Sequence, residues 1–237
     1  MKNLLYYDEI DSTNAEAKRL LRGGKDELYG TVITARRQTA GRGRLGRSFA
    51  SPGGDSVYAS FILKPPENPA EQLITSLAAV AVCLAIEKTT SYKPGIKWIN
   101  DILVDGKKIC GILAESVPGA VVLGIGVNVN LSEDDLPEEL HDIAGSLKMD
   151  IETRTLFFDT LTEEVFRCMA IADTEKTTSL MDEYRERSVL LRKPVYIGSD
   201  GIPAFCDSIA DDGALIVRYE DGSIDELRSG GISVRLV

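Results

Sequence analysis

The chain has 237 residues, of which 43% are hydrophobic and 27% are charged. This composition is typical of a globular protein and excludes a disordered, collagen-like or coiled-coil chain. The length predicts one large domain, or a large domain with a small one. The 27 basic and 37 acidic residues give a net charge of −10 at pH 7, which argues against binding nucleic acid or an anionic membrane over the whole surface.

Cysteine and histidine are both scarce. The four cysteines, Cys83, Cys110, Cys168 and Cys206, form no CxxC pair, which favours buried thiols in a reducing compartment. The single histidine, His141, lies in an acidic run, so we expect no catalytic histidine and no histidine-rich metal centre. The sequence has neither a signal peptide nor an apolar run long enough to span a bilayer. A soluble, cytoplasmic protein is therefore expected.

The predicted elements begin with a mixture of helices and strands. Thr13-Asn14-Ala15-Glu16 has the pattern of a capping box and predicts a short helix, and Asp105-Gly106 predicts a tight hairpin turn between two strands. The acidic run from Glu133 to Asp142 is expected to be a solvated loop or a short helix. In chain order, we predict a helix over 13–21, strands over 31–37 and 57–64, a core helix over 68–89, strands over 96–98, 102–104, 108–115 and 120–129, and helices over 158–169 and 178–190.

The pattern changes after Pro194. Short β-rich runs alternate with turn sequences at 199–201, 211–213 and 221–222, which predicts a small barrel of about five strands. We therefore expect an α+β domain with a mixed β-sheet over residues 1–190 and a small C-terminal β-barrel over 191–237.

The strongest local charge signal lies between the first two predicted strands. No acidic residue occurs from Leu28 to Gly54, whereas arginines occupy positions 36, 37, 42, 44 and 47. Glycines at 41, 43 and 46 allow the backbone to approach a ligand closely, and arginine supplies forked donors for phosphate or carboxylate. Residues 41–47 are called the arginine loop below. A flexible solvated loop or a nucleic-acid-binding tail is the alternative.

The arginine loop also matches the dinucleotide-binding pattern G-x-G-x-x-G. That motif requires a following helix and an acidic residue about 20 positions further on. Here the residues after Gly46 do not form a helix pattern and a strand follows instead. The match is interpreted as a coincidence, and the absence of HRD and DFG segments excludes a protein kinase.

Two further motifs carry candidate chemistry. Lys97-Trp98-Ile99-Asn100-Asp101 is followed across a hairpin by Lys107-Lys108 and Gly111; an asparagine, an aspartate and a facing lysine suit a phosphate and magnesium site. Turn residues beside an exposed basic pair are the alternative. Gly124-Ile125-Gly126-Val127-Asn128 places glycines in a buried strand, which indicates a ligand pressed against the backbone.

Together these motifs resemble those of the biotin protein ligases, in the order of that family and over nearly the whole chain. The resemblance rests on Asp11-Ser12-Thr13-Asn14, the run from Gln38 to Arg47 with Ser51-Pro52, Lys97-Trp98-x-Asn100-Asp101, Lys107-Lys108-x-x-Gly111, Gly124-x-Gly126-x-Asn128 and the late segment 230–235. It implies a catalytic domain of the biotin/lipoate ligase type with an SH3-like C-terminal barrel. It also implies an enzyme that makes biotinyl-5'-AMP from biotin and MgATP and passes biotin to one lysine of a biotin carboxyl carrier domain. Because the chain begins at the catalytic domain, a monofunctional ligase without an N-terminal DNA-binding domain is expected.

The resemblance also implies roles for individual residues. The biotin-binding residues would be Ser12, Thr13, Asn14, Gln38, Gly41, Arg42, Gly43, Arg44, Lys108 and Gly111. The ATP- or adenylate-binding residues would be Arg42, Arg44, Arg47, Phe49, Asn100, Asp101, Lys108, Asn128 and Arg235. Arg44, Lys108 and Asp101 are the expected catalytic residues, and Asn100 and Asp101 would hold Mg²⁺ directly or through phosphates.

Two positions depart from the family pattern. Ile99 stands where proline is usual, and Phe49 stands where tryptophan is usual. Phenylalanine stacks on adenine without the indole donor, so the second change should alter affinity and not chemistry.

Several alternatives stay open at this stage. They are a lipoate or octanoate ligase of the same fold, a non-enzymatic biotin or nucleotide sensor, and a nucleic-acid adaptor. The sequence also leaves open a homodimer and the base for the acceptor lysine, for which Asp101 is a candidate.

Overall fold

The computed structural model describes residues 1, 3–24, 27–65, 71–172, 174, 177–228 and 232–236. The strands of a first sheet are β1 (Asn3–Ile10), β2 (Thr31–Gln38), β3 (Val57–Leu63), β4 (Gly95–Lys97), β5 (Asp101–Val104), β6 (Lys107–Val117) and β7 (Ala120–Val127). The strands of a second sheet are β8 (Pro194–Ile197), β9 (Ile202–Ile209), β10 (Leu215–Tyr219), β11 (Ile224–Leu227) and β12 (Val234–Leu236). The helices are α1 (Thr13–Leu21), α2 (Glu71–Thr89), α3 (Ile151–Ala170) and α4 (Thr177–Glu186).

The first sheet has the order β1-β2-β3-β7-β6-β5-β4. β1 and β2 are parallel and the other neighbours are antiparallel, so the predicted mixed sheet is confirmed. The sequence did not predict β1. Its apolar residues stand side by side, Leu4-Leu5-Tyr6-Tyr7, and show no alternation because β1 is an edge strand with Leu4 and Tyr6 exposed.

The two faces of this sheet are covered differently. α2 is buried along its centre and packs against β5, β6, α3 and α4, as its nearly uniform apolar sequence predicts. On the opposite face, α1 packs against β2, β3 and β7 and buries a separate apolar cluster that includes Ile33 and Ile62. Because α1 has only 9 residues, it covers part of that face and leaves the rest for the arginine loop and the second sheet.

The helix boundaries correct several predictions. α1 is capped by Ser12, whose side chain accepts from the Ala15 amide, and not by Thr13. α3 begins at Ile151 because Asp150 caps it. α4 ends at Glu186 because Ile96 of β4 exchanges backbone hydrogen bonds with residues 187 and 189. The predicted start of α2 at Asn68 lies outside the described residues.

The acidic run has the expected local structure. It forms two short 3₁₀ helices, Glu133–Asp135 and Glu138–Leu140. The Asp105-Gly106 hairpin is also confirmed, since both residues have positive φ angles, 51° and 79°, as a tight two-residue turn requires.

The second sheet is antiparallel and five-stranded, with the order β11-β10-β9-β8-β12. The number of strands and their positions after Pro194 agree with the prediction, and Gly230 and Gly231 lie outside the described residues. Its buried Val195, Cys206 and Leu215 belong to the same apolar cluster as α2 and α3. The division of the chain at 190/191 stays a prediction. No helix in the described ranges is both long and apolar enough to cross a membrane.

Candidate active site

A cavity of about 540 Å³ opens on the sheet face that α1 leaves uncovered. Its walls are the first sheet, the arginine loop with Phe49, and residues 198–199 and 232–235 of the second sheet. The volume falls in the range of small-molecule sites.

One row of paired residues forms the centre of the sheet wall. Tyr58 of β3 pairs with Gly126 of β7, Gly126 with Gly111 of β6, and Gly111 with Asp101 of β5. Neighbours across a sheet project to the same face, so this row places two glycines between an aromatic ring and a carboxylate.

A β-bulge adds Lys108 to this face. The pairing of β5 with β6 shifts between Ile102 and Leu103, so that Ile102 faces Cys110 and Leu103 faces Lys108. Lys108 lies three positions before Gly111, so in a regular strand it would point to the opposite face. The bulge leaves Ile109 unpaired between them and returns Lys108 to the face of Gly111. The bulge therefore brings Lys108 Nζ to 2.7 Å from Asp101 Oδ1.

The charges in the cavity are strongly unbalanced. Of the described residues that line it, one is acidic, Asp101, and the basic ones are Arg42, Arg44, Arg47, Lys97, Lys108 and Arg235. In a chain with a net charge of −10, this creates a local positive field suited to an anionic ligand.

The arginine loop is held by hydrogen bonds of its own backbone and by contact with the opposite wall of the cavity. The Gly43 amide donates to the Arg47 carbonyl at 2.8 Å, and the Phe49 amide donates to the Gly41 carbonyl at 2.9 Å. A Cβ at Gly41 would collide with the Phe49 carbonyl, which explains the glycine. Arg44 Nη1 donates to Asn100 Oδ1 at 2.9 Å.

Burial lowers the pKa of the Arg44 guanidinium, and the nearby Asp101 carboxylate opposes part of this shift. The group stays charged, since arginine does not lose its proton in proteins. A partly desolvated guanidinium interacts more strongly with an anion than an exposed one does.

Asp101 and Asn100 were predicted to hold Mg²⁺. Asp101 Oδ1 is buried, and among the described residues its polar neighbour is Lys108 Nζ. Within the residues that the structure describes, no group of three His, Cys, Asp or Glu side chains is placed to bind a metal. A single carboxylate fits Mg²⁺ that is bound mainly through the phosphates of its ligand.

Phe49 covers the two glycines of the sheet wall. A Cβ on Gly111 would come within 2.9 Å of its ring and a Cβ on Gly126 within 2.6 Å, and the ring meets Tyr58 edge-on at 6.4 Å. Gly111 and Gly126 are called the glycine floor. The sequence predicted that a ligand would lie against Gly111, whereas here the Phe49 ring occupies that position.

One end of the cavity is lined by the hydrogen-bonded side chains of Thr13, Asn14 and Gln38. It is called the polar end below. Gln38 Oε1 accepts from the Thr13 amide at 2.8 Å and lies 3.1 Å from Thr13 Oγ1. Ser60 Oγ lies 2.8 Å from Thr13 Oγ1 and 2.5 Å from Asn14 Oδ1. Sequence reasoning missed Ser60, although a serine within the otherwise apolar and fully buried β3 is a signal that could have identified it.

Most of the predicted site residues meet in this cavity. Those that line it are Ser12, Thr13, Asn14, Gln38, Arg42, Gly43, Arg44, Arg47, Phe49, Asn100, Asp101, Lys108, Gly111 and Arg235. Gly41 and Asn128 lie outside the lining. Asn128 is buried and donates through Nδ2 to the Gly145 carbonyl at 3.0 Å, which fixes the segment that carries Ile143, a lining residue that the sequence did not predict.

Comparison with known proteins gives consistent matches. The sequence model of the biotin/lipoate A/B protein ligase family matches residues 7–132. The biotin–[acetyl-CoA-carboxylase] ligase of Paracoccus denitrificans is 32% identical over 227 residues, which are 90% of this chain and 92% of that protein. The bifunctional ligase/repressor BirA of Bacillus subtilis is 44% identical over 153 residues, which are 62% of this chain and 46% of that protein. This chain thus spans about half the length of the two Bacillus relatives that it matches.

The structure agrees with these sequence matches. The biotin protein ligase from Aquifex aeolicus, in complex with biotin and ATP, aligns over 100% of both chains with a TM-score of 0.86 and 29% identity. The family model covers more than half of the residues, and the Paracoccus relative is matched over nearly its whole length. This chain therefore belongs to the biotin/lipoate A/B protein ligase family.

Proposed function

We propose that this protein is a biotin protein ligase. It activates biotin with MgATP to biotinyl-5'-AMP, releasing pyrophosphate, and transfers biotin to a specific lysine of a biotin carboxyl carrier domain. The observation that supports this most strongly is the cavity itself, in which basic side chains from the loop and both sheets surround one carboxylate.

Charge and position are what the first step requires. The biotin carboxylate attacks the α-phosphorus of ATP, a bond to phosphorus forms, and pyrophosphate leaves with the electron pair. Two anions must approach each other, so the barrier is mainly electrostatic, and fixed donors that offset the developing charge lower it. The reaction needs no covalent enzyme nucleophile, in keeping with four buried cysteines.

Arg44 and Lys108 are assigned to the reacting groups because they reach the cavity from opposite walls. Lys108 contacts the carboxylate and the α-phosphate, and Arg44 lies over them from the arginine loop. Asn100 and Asp101 would hold Mg²⁺ together with the phosphates of ATP, and the ion would offset phosphate charge. Arg235, whose guanidinium lies 6.0 Å from the centre of the Tyr196 ring, binds the triphosphate from the second sheet.

Biotin is assigned to the polar end of the cavity. Its ureido ring needs both donors and acceptors, which Ser12, Thr13, Asn14 and Gln38 supply. Its valeryl chain then runs across the glycine floor toward Lys108. This placement requires the Phe49 ring to leave the glycine floor, after which the ring can stack on adenine. Arg47 and Asn128 are also assigned to the adenylate.

In the second step the amine of the acceptor lysine attacks the acyl carbon of the adenylate. An amide bond forms, AMP leaves with the electron pair of the broken bond, and the amine loses a proton. The carrier domain belongs to a biotin-dependent carboxylase in this proposal. Four unpaired, buried thiols support a cytoplasmic location, and a homodimer stays a prediction.

Pyrophosphate release tests the proposal against the other acids that this family activates. Biotin, lipoate or octanoate is incubated with the protein and MgATP, and each rate is compared with that of a sample without acid. Release that depends on biotin and exceeds the lipoate and octanoate rates is expected. Release with lipoate or octanoate alone would assign the chain to the other branch of the family, and no release with any acid would favour a sensor.

A further inference from the structure

Glu115 of β6 lies beside the polar end of the cavity but does not line it. Its Oε2 accepts from Asn14 Nδ2 at 2.9 Å, and its Oε1 lies 2.8 Å from Lys18 Nζ of α1. Burial alone would raise the pKa of Glu115, but the hydrogen bonds from Lys18 and Asn14 outweigh it, and the pKa lies below its usual value. The side chain is therefore a carboxylate at neutral pH and can only accept hydrogen bonds.

This carboxylate determines the orientation of the Asn14 amide. Because Glu115 accepts and cannot donate, the NH₂ group of Asn14 must face it. Asn14 Oδ1 then faces Ser60 Oγ at 2.5 Å. Asn14 is only 4% exposed, so the protein and not the solvent selects this orientation.

The orientation of the Asn14 amide determines the directions in which the hydroxyl groups of Ser60 and Thr13 donate. Each hydroxyl has one proton to donate, and Ser60 gives its proton to Asn14 Oδ1, which can only accept. Thr13 Oγ1 lies 2.8 Å from Ser60 Oγ and 3.1 Å from Gln38 Oε1, and its one proton goes to Ser60, the nearer oxygen, because Gln38 Oε1 already accepts from the Thr13 amide. Thr13 lines the cavity, so a remaining lone pair of its Oγ1 is available to accept from a ligand N–H group.

Gly124 of β7 gives independent support for the Asn14 position. A Cβ at this residue would collide with the Asn14 amide, coming within 2.9 Å of Cγ and 3.0 Å of Nδ2. The glycine predicted to admit a ligand thus admits the Asn14 side chain, which needs this space to reach Glu115.

We propose that Glu115 is a positioning residue for biotin recognition: its carboxylate, paired with Lys18, fixes the donor and acceptor directions of Asn14, Ser60 and Thr13. The inference rests on the proposed function, since the ligand group that these atoms meet is then the ureido ring. Glu115 itself touches neither biotin nor ATP.

The Glu115→Gln variant tests this role. Lys18 selects the carbonyl of the new side chain, so its NH₂ group faces the NH₂ group of Asn14 and the hydrogen-bond directions are disrupted. We expect the KM for biotin to rise about tenfold, the scale of one lost charge-assisted hydrogen bond. The KM for ATP and kcat should stay within about twofold. Glu16→Gln, on the outer side of α1 where Glu16 pairs with Tyr7 and Arg19, is the matched control.

A second substitution separates positioning from a merely structural role. Asn14→Asp alone places two carboxylates side by side and should raise the biotin KM further. When Asn14→Asp is combined with Glu115→Gln, the introduced carboxylate accepts from the introduced amide and from Ser60, which restores the original directions. The double variant should return the biotin KM to within about threefold of wild type, the non-additivity expected for directly bonded partners.

The outcomes distinguish this inference from the proposed function. No biotin-dependent pyrophosphate release by the wild-type protein overturns both. Release by wild type with an unchanged biotin KM in Glu115→Gln, equal rises in both KM values, or no recovery in the double variant overturns only the role of Glu115. If Glu115→Gln does not fold, the double variant compared with Asn14→Asp alone decides by the same criterion.

Discussion

The sheet wall and the loop wall of the cavity are built in opposite ways. The row from Tyr58 to Asp101 is fixed by continuous strand pairing, and a bulge sets Lys108 in the same rigid frame. The arginine loop has a few backbone hydrogen bonds of its own and reaches the opposite wall through Arg44. The sheet therefore supplies a fixed geometry, and we expect the loop to supply positive charge that orders over the bound ligands.

This difference predicts where substitutions act. A change in the sheet wall should alter how ligands fit, whereas ordering of the arginine loop over the bound ligands, which we call closure, should be unaffected. A change in the loop should alter charge stabilisation and closure while the fold stays intact. The residues at which the two walls touch, Arg44 with Asn100 and Phe49 with the glycine floor, should affect both.

The largest expected effect is on the chemical step. In the proposed mechanism Arg44 and Lys108 donate to the reacting anions from opposite walls, so Arg44→Ala and Lys108→Ala each remove one donor. We expect either to reduce biotin-dependent pyrophosphate release by at least about 10²-fold, the scale for a lost transition-state donor. Arg36→Ala, which removes an exposed arginine paired with Asp8, is the control. Release at the normal rate from either cavity variant would refute the role assigned to that residue.

A smaller effect is expected on the mobility of the loop. Without ligand the loop should be accessible to trypsin at Arg42 and Arg44, and biotin with MgATP should protect it. Gly126→Ala should expel the Phe49 ring from the floor and increase cleavage of the free protein by about tenfold, since overpacking costs about 1–3 kcal/mol. Equal cleavage rates with and without ligands would count against closure. An unchanged rate in Gly126→Ala would show that Phe49 does not hold the loop.

The smallest effect is expected at Phe49 itself. Phe49→Trp enlarges the ring that meets the floor and restores an indole donor. The KM for ATP should change by less than about tenfold with kcat unchanged, because aromatic contacts contribute about 0.5–1.5 kcal/mol. Steady-state kinetics with varied ATP measures this, and a large loss of kcat would place Phe49 in the chemistry.

The sequence predicted the parts of the site that depend on local patterns. The arginine loop, the Asp105-Gly106 hairpin and the motif around Asp101 are each visible within a few residues. The bulge at Ile109 was not predictable because it depends on how two strands pair. The contacts of Phe49 with Gly111 and Gly126, and of Glu115 with Asn14, join residues far apart in the chain. β1 was missed because an exposed edge strand lacks the alternating pattern.

Transfer of biotin to a carrier tests the account most directly. The protein is incubated with biotin, MgATP and a biotin carboxyl carrier domain, and the intact mass of the carrier is measured. The account predicts a gain equal to one biotinyl group on a single lysine, lost when that lysine is replaced or when Lys108→Ala is used. A carrier of unchanged mass would contradict it, and so would a carrier to which the protein attaches lipoate as efficiently as biotin.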